Sequence, residues 1–414
     1  MPSDLPLPQR PDSPDASLAA SADSILERVD GPAEAEGIYV HVPFCSHRCH
    51  YCDFFTVVGH DDQRTRFVDR LIDEIAAVPR WIQDRPRTIF VGGGTPTHLP
   101  PDDLRRLLAA LRDRFGHHDT LEFSVEANPE TVTPEIAAIL VEGGVNRVSL
   151  GAQSFDHRLL DALERHHDPE RMAQVMGWLR EAGVTDLSLD LIFAIPDQTM
   201  EGWIRDLRRA LELEPTHLSC YGLIFEPGTP LNRRLERGEV LQIDEDLEAD
   251  MYEYTCDHLD AQGWRQYEIS NWCRPGQACQ HNLLYWRTRN WWPLGPSASG
   301  HVDGWRWRNA PRLSAYLAGT GLSPVWNIEH LSDDGRIGEW FMMGLRCNEG
   351  LGRAEVEQRL EGAGGARRRV ALERHHRAGL VHWRDERLAL TPRGRLLANL
   401  VTADLLATPE EIPS

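Results

Sequence analysis

The chain has 414 residues, 44 of them basic and 64 acidic, for a formal net charge of −20, and 41% are hydrophobic. That composition suits a globular protein of two or three domains, and no run approaches the ~20 apolar residues of a membrane helix. The acidic balance argues against a sequence-independent grip on nucleic acid phosphates, and all 44 basic residues are Arg, which identifies no activity.

Met1 to Glu36 is rich in Pro, Asp, Ser and Ala and lacks the apolar core of a secretory signal, so it reads as a disordered tail. A cytoplasmic location is therefore expected. In such a reducing compartment a tight cysteine cluster points to metal or redox chemistry rather than disulfides. From Gly37 on, six strands are predicted: Ile38–Val42, Thr88–Val91, Leu121–Glu126, Arg147–Leu150, Leu187–Ile192 and His217–Leu223. Helical patterns separate them, at Gln63–Val78, Asp102–Phe115, Pro134–Glu142 and Met200–Leu213. Alternation of this kind gives βα units on a parallel sheet. Six units rather than eight predict a partial (β/α)6 TIM-like barrel, with its chemistry at the carboxyl ends of the strands.

The expected organisation is a tail over 1–36, the barrel over 37–240, an accessory region over 241–330, a C-terminal module over 331–406 and a short tail over 407–414. Seven of the thirteen Trp fall in Trp264–Trp307. In the last segment, helical patterns precede two short strands flanking Arg384-Asp385-Glu386, which reads as a winged-helix-like module. Its charges nearly balance, so it is expected to pack against protein rather than DNA.

The first strand runs into Cys45-Ser46-His47-Arg48-Cys49-His50-Tyr51-Cys52. Three thiolates from one loop can hold a 4Fe-4S cluster and leave one iron open. The spacing also allows a Cys3His zinc site completed by His47 or His50. After the second strand come Gly92-Gly93-Gly94-Thr95-Pro96-Thr97, where missing side chains let a ligand reach backbone N–H groups. The next strand ends place Glu126, Gln153 and Asp190 at the same edge.

In that order these motifs resemble the radical S-adenosylmethionine (SAM) superfamily. The match is to the branch shared by oxygen-independent coproporphyrinogen III oxidases and HemW haem chaperones, and it runs from Gly37 to about Leu406. The resemblance implies cluster ligation by Cys45, Cys49 and Cys52. It implies S-adenosylmethionine contacts from Tyr39, Tyr51, Gly93, Gly94, Thr95, Glu126, Gln153, Arg165 and Asp190. The oxidases carry a further Cys two positions after the third ligand; here that position is Phe54, as in the chaperones. His281-Asn282-Leu283-Leu284-Tyr285-Trp286 is similar to the chaperones' haem-associated H-N-x-x-Y-W element and implies His281 as a haem ligand. Trp286, Trp291 and Trp292 could cover a porphyrin face, and Cys273 and Cys279 could also ligate haem. The function so implied is haem carriage to an acceptor protein. The alternative is oxidative decarboxylation of coproporphyrinogen III.

Overall fold

A computed structural model describes residues 20–21, 34–79, 85–116 and 121–406. Apart from these few positions, the expected N-terminal tail lies outside the described residues, as does the expected tail over 407–414.

Six parallel strands form the centre: β1 (Gly37–Val42), β2 (Thr88–Gly93), β3 (Glu122–Ala127), β4 (Arg147–Gln153), β5 (Asp186–Phe193) and β6 (His217–Gly222). They are hydrogen-bonded in chain order. Ile38, Val40, Ile89, Val91, Val125, Val148, Leu187 and Leu189 are fully or nearly fully buried, as parallel strands covered on both faces require. The crossover helices are α1 (Arg64–Ala77), α2 (Pro101–Phe115), α3 (Pro134–Glu142), α4 (Met172–Ala182) and α5 (Met200–Glu212). Local chemistry sets their starts: Thr133 Oγ1 accepts from Ile136 N at 3.2 Å with Pro134 at the first position of α3, and Thr199 caps α5 through Gly202 N.

Both edges continue with strands outside the six. Beyond β6 lie β8 (Asn271–Cys273) and then β7 (Arg265–Glu268), antiparallel. On the other side β9 (Trp291–Leu294) runs parallel to β1 and adds a seventh parallel strand. From it β10 (Ser299–Val302), β11 (Trp305–Asn309) and β12 (Pro324–His330) extend antiparallel, ending on the two-residue strand Ala20–Ser21. The result is one open, mixed, 13-stranded sheet. A buried carboxylate fastens this extension to α1: Glu74 accepts from Tyr316 Oη at 2.8 Å and from the Gly295 and Ser323 amides at 3.1 Å each.

The C-terminal module has its own apolar cluster around Phe341, Val356, Leu388 and Val401. The expected hairpin is present as Val381–Arg384 and Arg387–Leu390, turning through Asp385 and Glu386, both with positive φ. The module docks on the sheet through Asn348, whose amide donates to Tyr267 O at 2.9 Å and whose side chain donates to Gln266 O at 3.0 Å.

Candidate functional site

A large cavity of about 1330 Å3 opens at the carboxyl edge of the parallel strands. Cys45, Cys49 and Cys52 reach it from the loop after β1, together with Tyr51, Gly93, Gly94, Thr95, Glu126, Gln153, Arg165 and Asp190. Eleven of the thirteen residues that the motifs singled out thus share one space.

Backbone bonds hold the cysteine loop in place: Cys45 N donates to Val57 O at 3.1 Å, Cys52 N to Cys49 O at 3.2 Å and His50 N to Leu163 O at 3.1 Å. Cys45 Sγ lies 3.6 Å from Thr95 Oγ1. Arg165 stands 3.6 Å from Cys49 Sγ, and its other terminal nitrogen donates to Gly151 O at 3.0 Å. The buried Nε of Arg165 has no partner among the described residues. Burial pushes the Cys52 thiol up to about 11 and raises that of Cys45. Burial disfavours Cys45 and Cys52 as free anions, and three adjacent thiols with a guanidinium beside Cys49 fit a thiolate-bound metal cluster that supplies the compensating positive charge.

The glycine turn is shaped by close approach. Gly93 has φ of 105°, and a Cβ there would sit 2.5 Å from the His41 ring; a Cβ on Gly94 would sit 2.7 Å from Phe44 O. The Gly93 amide donates to Glu126 Oε2 at 3.0 Å. Burial, with the Asp190 carboxylate nearby, pushes Glu126 up to about 7. Asp190 is also raised by burial, and accepts from Ser149 Oγ at 3.0 Å. The register shifts between Gly151 and Gln153, and the resulting bulge gives Gln153 a φ of 62° and turns it into the cavity.

Neither Tyr39 nor His281 is among the residues that line the cavity. Tyr39 Oη bonds His41 Nδ1 at 3.1 Å, and its ring stacks on Phe90 and His281. His281 is 1% exposed, with Nδ1 2.8 Å from Thr88 Oγ1 and Nε2 2.7 Å from Tyr285 Oη. Burial lowers it to about 3, so the ring is neutral, and both nitrogens are already engaged. The cause is local: His281 and Tyr285 share one face of the helix Gln280–Trp286. Glu122 caps that helix by accepting from the Gln280 amide at 2.7 Å and the His281 amide at 2.9 Å.

Of the three tryptophans expected at a porphyrin face, only Trp286 lines the cavity; Trp292 is buried against Trp307. Cys273 and Cys279 are buried away from it, Cys279 against Glu122. Sequence reasoning missed the far wall of the cavity. Tyr221 and Ile224 come from the end of β6, and Arg393, Arg395, Leu396 and Leu397 from the C-terminal module.

Residues 39–210 match the family described as the Radical SAM superfamily, and residues 331–397 match the HemN C-terminal domain. The fold matches a solved structure of coproporphyrinogen III oxidase (HemN) from Escherichia coli, with a TM-score of 0.80, 23% identity and 93% and 94% of the two chains covered. The protein is thus a radical SAM protein in class and architecture. It is 39% identical to the heme chaperone HemW of Mycobacterium tuberculosis over 385 residues, 91% of this chain and 96% of the relative. Against the HemW of Bacillus subtilis it is 33% identical over 368 residues, 88% and 97% of the two chains. The chain belongs to the HemW family.

Among the described residues no helix is long and apolar enough to cross a membrane.

Proposed function

We propose that this chain carries haem to an acceptor protein and binds the haem in the cavity that also receives a 4Fe-4S cluster and S-adenosylmethionine. The observation that carries this reading is the cavity's mixed lining. Among the described residues nine large hydrophobic side chains are exposed. Five of them, Phe54, Tyr221, Ile224, Leu396 and Leu397, line this one cavity. Exposed apolar surface concentrated around a cavity marks a ligand site. The volume also exceeds the roughly 300–1,000 Å3 of an ordinary small-molecule pocket. A broad apolar ring system suits the rim, and its carboxylates suit Arg393 and Arg395, whose buried Nε at Arg395 has no partner among the described residues.

In this reading Cys45, Cys49 and Cys52 hold the cluster. Gly93, Gly94 and Thr95 offer backbone groups to the cofactor's methionine end, and Glu126, Gln153, Asp190 and Tyr51 surround the remainder. The cluster and cofactor together supply one-electron chemistry. Arg165 keeps the thiolate side of the site positive. With both ring nitrogens of His281 engaged, its contribution is to hold the helix Gln280–Trp286 against β2, which sets Trp286 and Asn282 at the cavity wall.

The rim is tested by Ile224→Asp and Leu397→Asp. Losing one buried aliphatic contact costs about 1.5–3 kcal/mol, so each variant should bind haem at least tenfold more weakly in an anaerobic Soret titration. Val370→Asp, on an exposed residue outside the cavity, should change nothing. Equal affinity in all three variants and the parent chain would overturn the rim as the haem site.

Glu126 gives the site a pH dependence. Its carboxyl is neutral below about 7 and ionised above, and a cationic ligand favours the ionised form. S-adenosylmethionine affinity measured by calorimetry should therefore rise between pH 6 and pH 8. Glu126→Gln should flatten that rise; an unchanged slope in the variant would remove Glu126 from the cofactor site.

A further inference from the structure

At the mouth of the cavity, beside the cysteine loop, three side chains from two distant stretches of chain meet. His47 Nε2 lies 3.8 Å from Glu164 Oε2, and His166 Nε2 lies 3.3 Å from the same oxygen. The two imidazole centroids are 4.7 Å apart, and one ligand atom from each of the three residues falls within 4.8 Å of the others. We propose that His47, Glu164 and His166 form a metal site for a first-row divalent transition ion, separate from the cysteine triplet.

The donor set and its spacing support this assignment. Two neutral imidazoles and one carboxylate suit zinc, iron, nickel or copper and leave positions open for water or an incoming ligand. Bonds of about 2.0–2.2 Å in tetrahedral geometry put donors roughly 3.3–3.6 Å apart. One observed separation already falls there, and small side-chain rotations bring in the others. As plain ion pairs, at side-chain exposures of 41%, 36% and 53%, these contacts would contribute only about 0–1 kcal/mol.

The closing turn of a helix places the carboxylate. Glu164 holds a φ of 52°, a left-handed conformation that costs a non-glycine residue about 1–2 kcal/mol. It follows the helix His157–Ala162, whose end is closed by Glu164 N donating to Asp161 O at 3.0 Å and Arg165 N donating to Leu160 O at 2.9 Å. That turn points Glu164 and His166 outward at the mouth and Arg165 inward to Cys49. An ion bound here ties the cysteine loop, through His47, to the segment that aims Arg165. Occupancy would therefore stiffen the loop without using a thiolate.

The test is an anaerobic calorimetric titration of cluster-loaded protein with Zn(II), the cysteines being occupied by iron. Iron and sulfide are assayed on the same samples, so cluster loss is read separately. One equivalent of Zn(II) should bind. Glu164→Gln and His166→Ala, both outside the cysteine loop and half-exposed, should weaken it at least tenfold with iron, sulfide and melting temperature unchanged. Absence of a stoichiometric site overturns the proposal, as does a Zn(II) affinity that survives both substitutions.

Discussion

Cys49→Ser is expected to abolish cluster loading while leaving the fold intact. Cys49 is 8% exposed, sits in the middle of the triplet and is the thiol that Arg165 approaches. A hydroxyl at this position is a hard, weakly acidic donor where iron–sulfur chemistry requires a thiolate. Two remaining cysteines cannot hold the cube on three irons. The loop contributes no strand to the central sheet, so the melting temperature should move little. Cys347→Ser, at a buried cysteine outside the cavity, is the matched control and should keep its iron and sulfide. A Cys49→Ser protein with full iron and sulfide would refute the assignment of the triplet.

The second large effect lies in the C-terminal module. Arg368 is fully buried, and it donates to Asp334 Oδ1 at 2.5 Å, to Leu405 O at 2.8 Å, and to Ala363 O and Asp334 O at 2.7 Å each. Asp334→Ala would leave this guanidinium without its counter-charge. Breaking a buried pair from one side costs about 3–5 kcal/mol, to be read in urea unfolding. Replacing both partners together, as Asp334→Leu with Arg368→Met, should cost much less, because no charge is then stranded. The module supplies Arg393, Arg395, Leu396 and Leu397 to the cavity, so haem affinity should fall with module stability in the single variant. A single variant as stable as the parent would show that the ion pair does not hold the module together.

Much of the architecture was legible because its signals are local. The parallel strands are short apolar runs between capped amphipathic helices, and α3 spans the expected Pro134–Glu142. The cysteine loop, the glycine turn and the strand-end carboxylates were readable as one constellation, since βα order places every such edge on the same side of the sheet. What escaped lacks a local signal. β9 contains Pro293 and pairs with β1, some 250 residues earlier, so no periodicity announces it. The aromatic density around it reads as a ligand face, yet Trp292 and Trp307 pack on each other instead. His281 carries a family motif, but the motif does not reveal that Thr88 and Tyr285 occupy both of its nitrogens. The apolar wall at Leu396 and Leu397 and the meeting of His47 with His166 depend on docking between distant segments.

The most direct measurement is an anaerobic haem titration of the cluster-loaded protein in the Soret region. S-adenosylmethionine is present, coproporphyrinogen III is the competitor, and 5′-deoxyadenosine is quantified in parallel. Haem carriage predicts saturable binding that the competitor barely disturbs, with no porphyrinogen consumed. Decarboxylation of the porphyrinogen with matching 5′-deoxyadenosine release, and no saturable haem binding, would contradict it.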